Sequence, residues 1–175
     1  MSKKDKPQLY GFTNRILADI TARIMSYPDL AKFLYYTDDK YKEENILILP
    51  SVKTSDIYDK KLYLYKRVPD VITTAGAYVY INIYRSTPTT IGGAINSTTF
   101  TVDILVHREC VTTAHGNRLV CIYTALNKAL AQYNKSAVIG EVNLVRVAPI
   151  LGVIKDFEGF SIQYECHGFK EDDFL

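Results

Sequence analysis

Four side chains of the types that bind zinc lie within one fifteen-residue stretch of the sequence: His107, Cys110, His115 and Cys121. Structural zinc sites normally present two closely spaced ligand pairs. The spacing here, H-x2-C-x4-H-x5-C, is not that of a standard zinc module, and Cys121 falls near the apolar stripe of a predicted helix, where a thiol acts as a small hydrophobic group. We therefore expect no metal and no cofactor.

Two cysteine–histidine pairs have the residue types for nucleophilic catalysis. A nucleophilic thiol needs a nearby base and surroundings that lower its pKa. Cys166 and His167 are neighbours in a predicted strand, so their side chains point to opposite faces. Cys110 with His115 remains an alternative as the catalytic pair of a small hydrolase or transferase. No acidic residue is spaced so that it could orient the histidine. The sequence favours a protein that is not an enzyme.

Composition predicts one ordinary domain over residues 1–175, because 47% hydrophobic residues can fill one core. The 21 basic and 19 acidic residues give a net charge of +2, without the basic excess from which nucleic-acid binders draw affinity. Only the ends differ in charge, with a basic arm at 1–12 and an acidic tail at 168–175. The three cysteines fit reduced thiols, and no membrane span is expected.

Helical periodicity appears first near Thr13 or Asn14, either of which can cap a helix. Pro28 interrupts this pattern and is suited to open a second helix. The sequence therefore predicts helices at about 14–26 and 28–36. A further helix at about 116–133 is predicted by an apolar stripe that includes Leu119, Ile122 and Leu126.

Residues 37–61 are rich in charge around a single apolar island, Ile46 to Leu49. A segment of this kind buries little surface by itself. We expect an extended surface excursion that becomes ordered against a neighbouring subunit.

Alternation with period two predicts strands from Leu62, through Tyr78–Tyr84, and at about 98–108, the last two forming an antiparallel hairpin. Two closing strands are predicted at 141–148 and 159–167. The order of elements predicts an α+β fold, a mainly antiparallel sheet with helices packed on one face. Apolar residues on both faces of the first hairpin indicate either a core or a subunit contact on the tyrosine side.

The connection from Ser86 to Ser97 is longer than a simple hairpin needs, so it either contacts a partner or is a mobile tip. The candidate interface residues come from this loop, the apolar island and the basic residues of the hairpin. They are Arg85, Ile91, Gly92, Gly93, Ile95, Asn96, Ile46, Leu47 and Arg108.

Over residues 13–168 the order of elements resembles the tail-terminator and related neck, or head-tail joining, proteins of tailed bacteriophages. The local features that carry the resemblance are Leu30-Ala31-Lys32-Phe33-Leu34-Tyr35-Tyr36-Thr37-Asp38 and Asp156-Phe157-Glu158-Gly159-Phe160-Ser161-Ile162-Gln163-Tyr164-Glu165. Segment 37–61 departs from the shortest members of that family.

The resemblance implies a virion structural protein that assembles in the host cytoplasm as a homo-oligomeric ring, typically a hexamer. Such a ring caps the tail tube, contacts the tube protein and the neck or connector proteins, and contacts the sheath protein where the tail is contractile. Genomic DNA would pass through its lumen without sequence recognition. Two alternatives are another neck or head-completion ring of the connector, and an adaptor that binds a peptide by adding a strand to its sheet.

Overall fold

The computed structural model describes residues 6–64, 74–88, 95–131, 139–150 and 155–169. Side chains are described for 14–64, 74–83, 97–131, 140–150 and 155–167. This part of the chain forms an α+β fold with a five-stranded, mainly antiparallel sheet, as predicted. The basic arm at 1–5 and the end of the acidic tail at 170–175 lie outside the described residues.

The two N-terminal helices are present, but the first begins earlier than predicted. Helix α1 spans Lys6–Met25 and α2 spans Pro28–Tyr35. Thr13 and Asn14 therefore lie inside α1 and do not cap it. Pro7 falls in the first turn of α1, where the missing backbone donor costs nothing, so the helix can start there.

Segment 37–61 packs against its own chain, contrary to the expectation that it needs a neighbour to become ordered. It forms 3₁₀ turns at Asp39–Tyr41 and Ile46–Ile48 and the short helix α3, Thr54–Ile57. Ile46 and Ile57 are buried in the core. The Lys32 ammonium donates to the Leu47 carbonyl oxygen at 2.6 Å. The apolar island therefore anchors the charged residues around it to the chain.

Seven strands form in the described residues: β1 Leu62–Tyr63, β2 Ala77–Pro88, β3 Ile95–His107, β4 Thr112–Thr113, β5 Gly116–Asn117, β6 Ile139–Ile150 and β7 Phe157–Phe169. The main sheet has the order β1-β2-β3-β7-β6, with β1 parallel to β2 and the other pairs antiparallel. Both predicted hairpins are confirmed. The first is longer than expected, and the tip of its connection, residues 89–94, lies outside the described residues.

The two faces of the sheet have different coverings. One face packs under α1, α2 and α4, the last spanning Arg118–Ala131, and buries residues such as Val79, Ile104 and Ile162. The other face carries a smaller buried cluster: Tyr63, Tyr78, Tyr80, Leu105 and Phe157. Tyr78 and Tyr80 thus form part of the chain's own core, as the first of the two interpretations held, whereas the Tyr84 side chain lies outside the described part.

Candidate interaction surface

Strand β6 is the outermost strand of the main sheet and carries exposed apolar side chains. It pairs with β7 on its inner side and has no described strand on its outer side. Leu144, Val145 and Val147 are 49%, 51% and 40% exposed. An edge strand presents unpaired N–H and C=O groups, and exposed apolar residues on such an edge favour pairing with another chain.

The helix layer covers β6 only in part, which explains this exposure: Arg23 of α1 donates to the Gly140 carbonyl oxygen and Val142 packs against the main core, whereas Leu144 and Val147 stay exposed. Helix α4 lies over β7, where the Tyr123 ring packs edge-on to Phe160 with centroids 6.2 Å apart. Leu144 and Val147 stand opposite Tyr164 and Ile162 of β7 and so share the face on which the helices pack. Tyr164 and Ile162 are buried beneath the helices. On β6 itself, that cover is lost at Leu144 and Val147.

A local irregularity shapes this edge. Leu144 pairs with Tyr164 and Arg146 with Gln163, so Val145 is an extra residue in β6 with no partner in β7. A bulge of this kind increases local twist and bends the strand. It places Val145 among the exposed apolar residues of the edge.

The opposite edge of the sheet is also largely open in the described residues. Strand β1 pairs only with Val79 and Tyr80 of β2. From Ile81 to Pro88, no described strand lies on the outer side of β2. Among the residues that the structure describes, the sheet therefore has a long unpaired edge at each end.

The interface residues predicted from sequence that fall in the described part of the chain lie in several places. Ile46 is buried in this chain's core, and Leu47 is half-buried against it, so these two residues offer little to a partner. Arg108 is exposed at the end of β3, with Nε 3.9 Å from Glu158 Oε1. It lies at the other end of the β2–β3 hairpin from Arg85, which pairs with Thr99.

The remaining predicted residues lie at or beyond the tip of that hairpin. Ile95 and Asn96 begin β3 and pair with Phe169 and Gly168 of β7, while their side chains lie outside the described residues. Ile91, Gly92 and Gly93 are outside the described residues altogether. Sequence reasoning missed the edge of β6. The signal available for it was the run Leu144-Val145-Arg146-Val147, which is apolar without strict alternation.

The histidines and cysteines predicted from sequence make different contacts, although the Cys121 thiol donates to the His115 carbonyl oxygen at 3.6 Å. His115 Nε2 lies 2.9 Å from Asn45 Oδ1, and its ring packs edge-on to Phe33. The His107 ring packs edge-on to Phe157, and its Nδ1 accepts from the Glu109 backbone N–H at 3.3 Å. Within the described ranges, no group of three or more His, Cys, Asp or Glu side chains is arranged to hold a metal ion.

The thiols are set in surroundings that disfavour the thiolate. Burial raises the pKa of Cys110, although Arg118 and nearby lysines oppose the shift. Burial likewise raises the pKa of Cys121, and that of Cys166 to about 12. Cys166 is buried while His167 is exposed, so this pair diverges as the strand alternation predicts. A thiol held in its neutral form is a poor nucleophile.

The sequence profile of the YomW family matches residues 28–166, from the start of α2 to the buried Cys166. The chain belongs to the YomW family. In this YomW-family chain the matched region includes the whole of α2 and α4, β6 and most of β7. A comparison with curated protein sequences gave no match.

One solved structure with a similar fold is described as the virion of a native gene transfer agent (GTA) particle. The superposition has a TM-score of 0.54 at 10% sequence identity and covers 91% of this chain and 98% of that chain. At this identity the likeness shows a shared fold. Among the helices of the described residues, none has the length and apolarity needed to cross a membrane.

Proposed function

We propose that the chain is a virion structural protein: a tail terminator that forms a homo-oligomeric ring, caps the tail tube and joins it to the neck. The observation that carries the proposal is the fold shared with a chain of the GTA virion across nearly the full length of both chains. Membership of the YomW family and the order of elements noted from sequence are consistent with this role.

The described surface suits assembly better than catalysis. Ring formation requires head-to-tail contacts between two different surfaces of each copy. The two sheet edges that have no partner among the described strands are two such surfaces. The raised pKa values of the cysteine thiols favour a non-enzymatic role.

Electron microscopy of the purified full-length chain, alone and mixed with tubes of the cognate tail tube protein, tests this function. We expect rings, or monomers that collect as a cap at one end of each tube. Monomers that never associate with tube ends would overturn the proposal. Gold labelling of the chain in assembled particles separates a terminator from another neck ring, because the terminator touches the last tube ring directly.

A further inference from the structure

The four long strands of the main sheet alternate in direction. β2 pairs antiparallel with β3, β3 with β7, and β7 with β6. Because the number of alternating strands is even, the two outer strands, β2 and β6, run in opposite directions. Each has a long outer edge without a described partner, apart from the short pairing of β1 with Val79 and Tyr80.

We propose that the outer edge of β6 in one copy pairs antiparallel with the outer edge of β2, beyond Tyr80, in the next copy. This inference rests on the proposed ring and specifies the contact that builds it. A rotation axis that runs along the strands preserves their directions from copy to copy. The β6 strand of one copy then meets a β2 strand that runs the opposite way, and the antiparallel ladder continues from subunit to subunit.

This contact gives a partner to both edges that lack one in the described residues. A twofold β6–β6 contact would also be antiparallel, but it would leave β2 open and stop at a dimer. Twofold contacts at both edges would generate an open chain of copies. Only the β6-to-β2 contact is heterologous, and heterologous contacts are the ones that close into rings.

The contact also covers the exposed apolar residues. Leu144 and Val147 lie on the helix-packed face of β6, beyond the reach of their own helix layer. In the neighbouring copy, α1 and α2 contact β2. Continuing the sheet from β6 to β2 would therefore bring these two helices alongside Leu144 and Val147.

The register of the sheet supplies a cross-linking pair. Asn82 pairs with Thr101, Thr101 with Gln163, and Gln163 with Arg146, so these residues form one row across the sheet. If copies repeat at the same height along the axis, Arg146 of one copy stands beside Asn82 of the next. Both positions lie on the face without helices.

The test uses the full chain carrying Asn82→Cys and Arg146→Cys in a Cys121→Ser background, treated with a short thiol-specific cross-linker. We expect a ladder of covalent oligomers on a denaturing gel, while each single variant stays monomeric. Covalent dimers from Arg146→Cys alone would indicate a twofold contact and overturn the inference. Rings seen by electron microscopy without a ladder would overturn this contact and leave the proposed ring intact, whereas the absence of both rings and ladder, even with tail tubes added, would contradict both proposals.

A second measurement separates assembly from folding. Leu144→Lys with Val147→Lys places two charges on side chains that are already exposed, so we expect an unchanged unfolding midpoint and loss of ring formation. Val120→Lys is a matched control, because Val120 is 49% exposed on α4. The control should assemble normally. Rings that form from the double lysine variant would overturn the inference.

Discussion

The guanidinium of Arg118 donates from Nη1 to the carbonyl oxygen of Phe33 at 2.8 Å. Phe33 lies in the last turn of α2, where backbone carbonyls lack partners within the helix. Arg118 Nε also donates to the Cys110 carbonyl oxygen at 2.7 Å, and the side chain is fully buried. Burial lowers the pKa of this guanidinium. One buried cation thus joins the end of α2, the turn at Arg108–Cys110 and the start of α4.

Replacing Arg118 should weaken the fold substantially. In Arg118→Met, both carbonyl oxygens would lose a charged donor while still buried, and we expect a loss of about 3 kcal/mol in the free energy of unfolding. Urea denaturation measures this change. Arg108→Met is the control, because the Arg108 side chain is 66% exposed, and it should change stability by less than about 0.5 kcal/mol. Equal effects of the two variants would contradict a bridging role for Arg118.

The apolar island of segment 37–61 offers a pair of isoleucines two residues apart with opposite exposure. Ile46 is fully buried, whereas Ile48 is 80% exposed. Ile46→Ala should cost about 2–5 kcal/mol because it opens a cavity in the core. Ile48→Ala should leave the free energy of unfolding within about 0.5 kcal/mol of its original value. If thermal or urea unfolding of the monomer gave similar results for both, the segment would not be anchored as described.

Gly159 marks a close approach of backbones inside the sheet. A Cβ there would clash with the Ile104 carbonyl oxygen and lie 2.7 Å from Leu105 Cδ2. Gly159→Ala should therefore destabilise the protein by about 1–3 kcal/mol, since β3 and β7 must move apart. Gly140→Ala is the comparison, because its nearest neighbour, the His167 carbonyl oxygen, would be 3.4 Å away. Calorimetry should show a clear drop in Tm only for the first variant.

Alkaline pH should destabilise the folded chain through Cys166. Burial raises the pKa of this thiol to about 12, whereas an unfolded cysteine titrates near about 8.5. The folded state therefore binds the thiol proton more tightly than the unfolded state does. The protonated thiol's contribution to the free energy of unfolding is complete below about pH 8.5 and is lost as the pH rises towards 12. Unfolding free energies measured from pH 7 to 11 should fall less steeply in Cys166→Ala. Parallel curves for the two proteins would show that Cys166 does not carry this dependence.

Local periodicity predicted the faces of the sheet correctly. Phe100, Val102, Ile104 and Val106 alternate in the sequence, and all four are buried on the helix-packed face of β3. Because one face of the strand is buried, apolar and polar residues alternate along the strand itself. The local sequence therefore contains enough information to assign the two faces. The burial of Ile46 could not be predicted in the same way, because it depends on the packing of the turn at Ile46–Ile48 against distant parts of the chain.

The order of the strands in the sheet could not be predicted from local sequence patterns. The candidate interaction surface depends on that order. The strand at 141–148 was predicted, but the irregular run Leu144-Val145-Arg146-Val147 within it does not by itself fix its place in the sheet. Its position follows from the pairing of β3 with β7, which joins residues such as Phe100 and Tyr164. The exposed edge of β6 therefore emerged only from the structure.

The central pairing of β3 with β7 also has a consequence for how the subunit folds. Thr98 and Cys166 face each other across the ladder although 68 positions separate them in the sequence. Bringing together two residues so far apart in the sequence costs conformational entropy before the contacts between them can stabilise the chain. Folding is slower in proteins whose contacts mostly join residues far apart in the sequence. On the ribosome, β3 emerges well before its inner partner exists. Newly made chains should thus acquire their sheet late, after β7 has been synthesised.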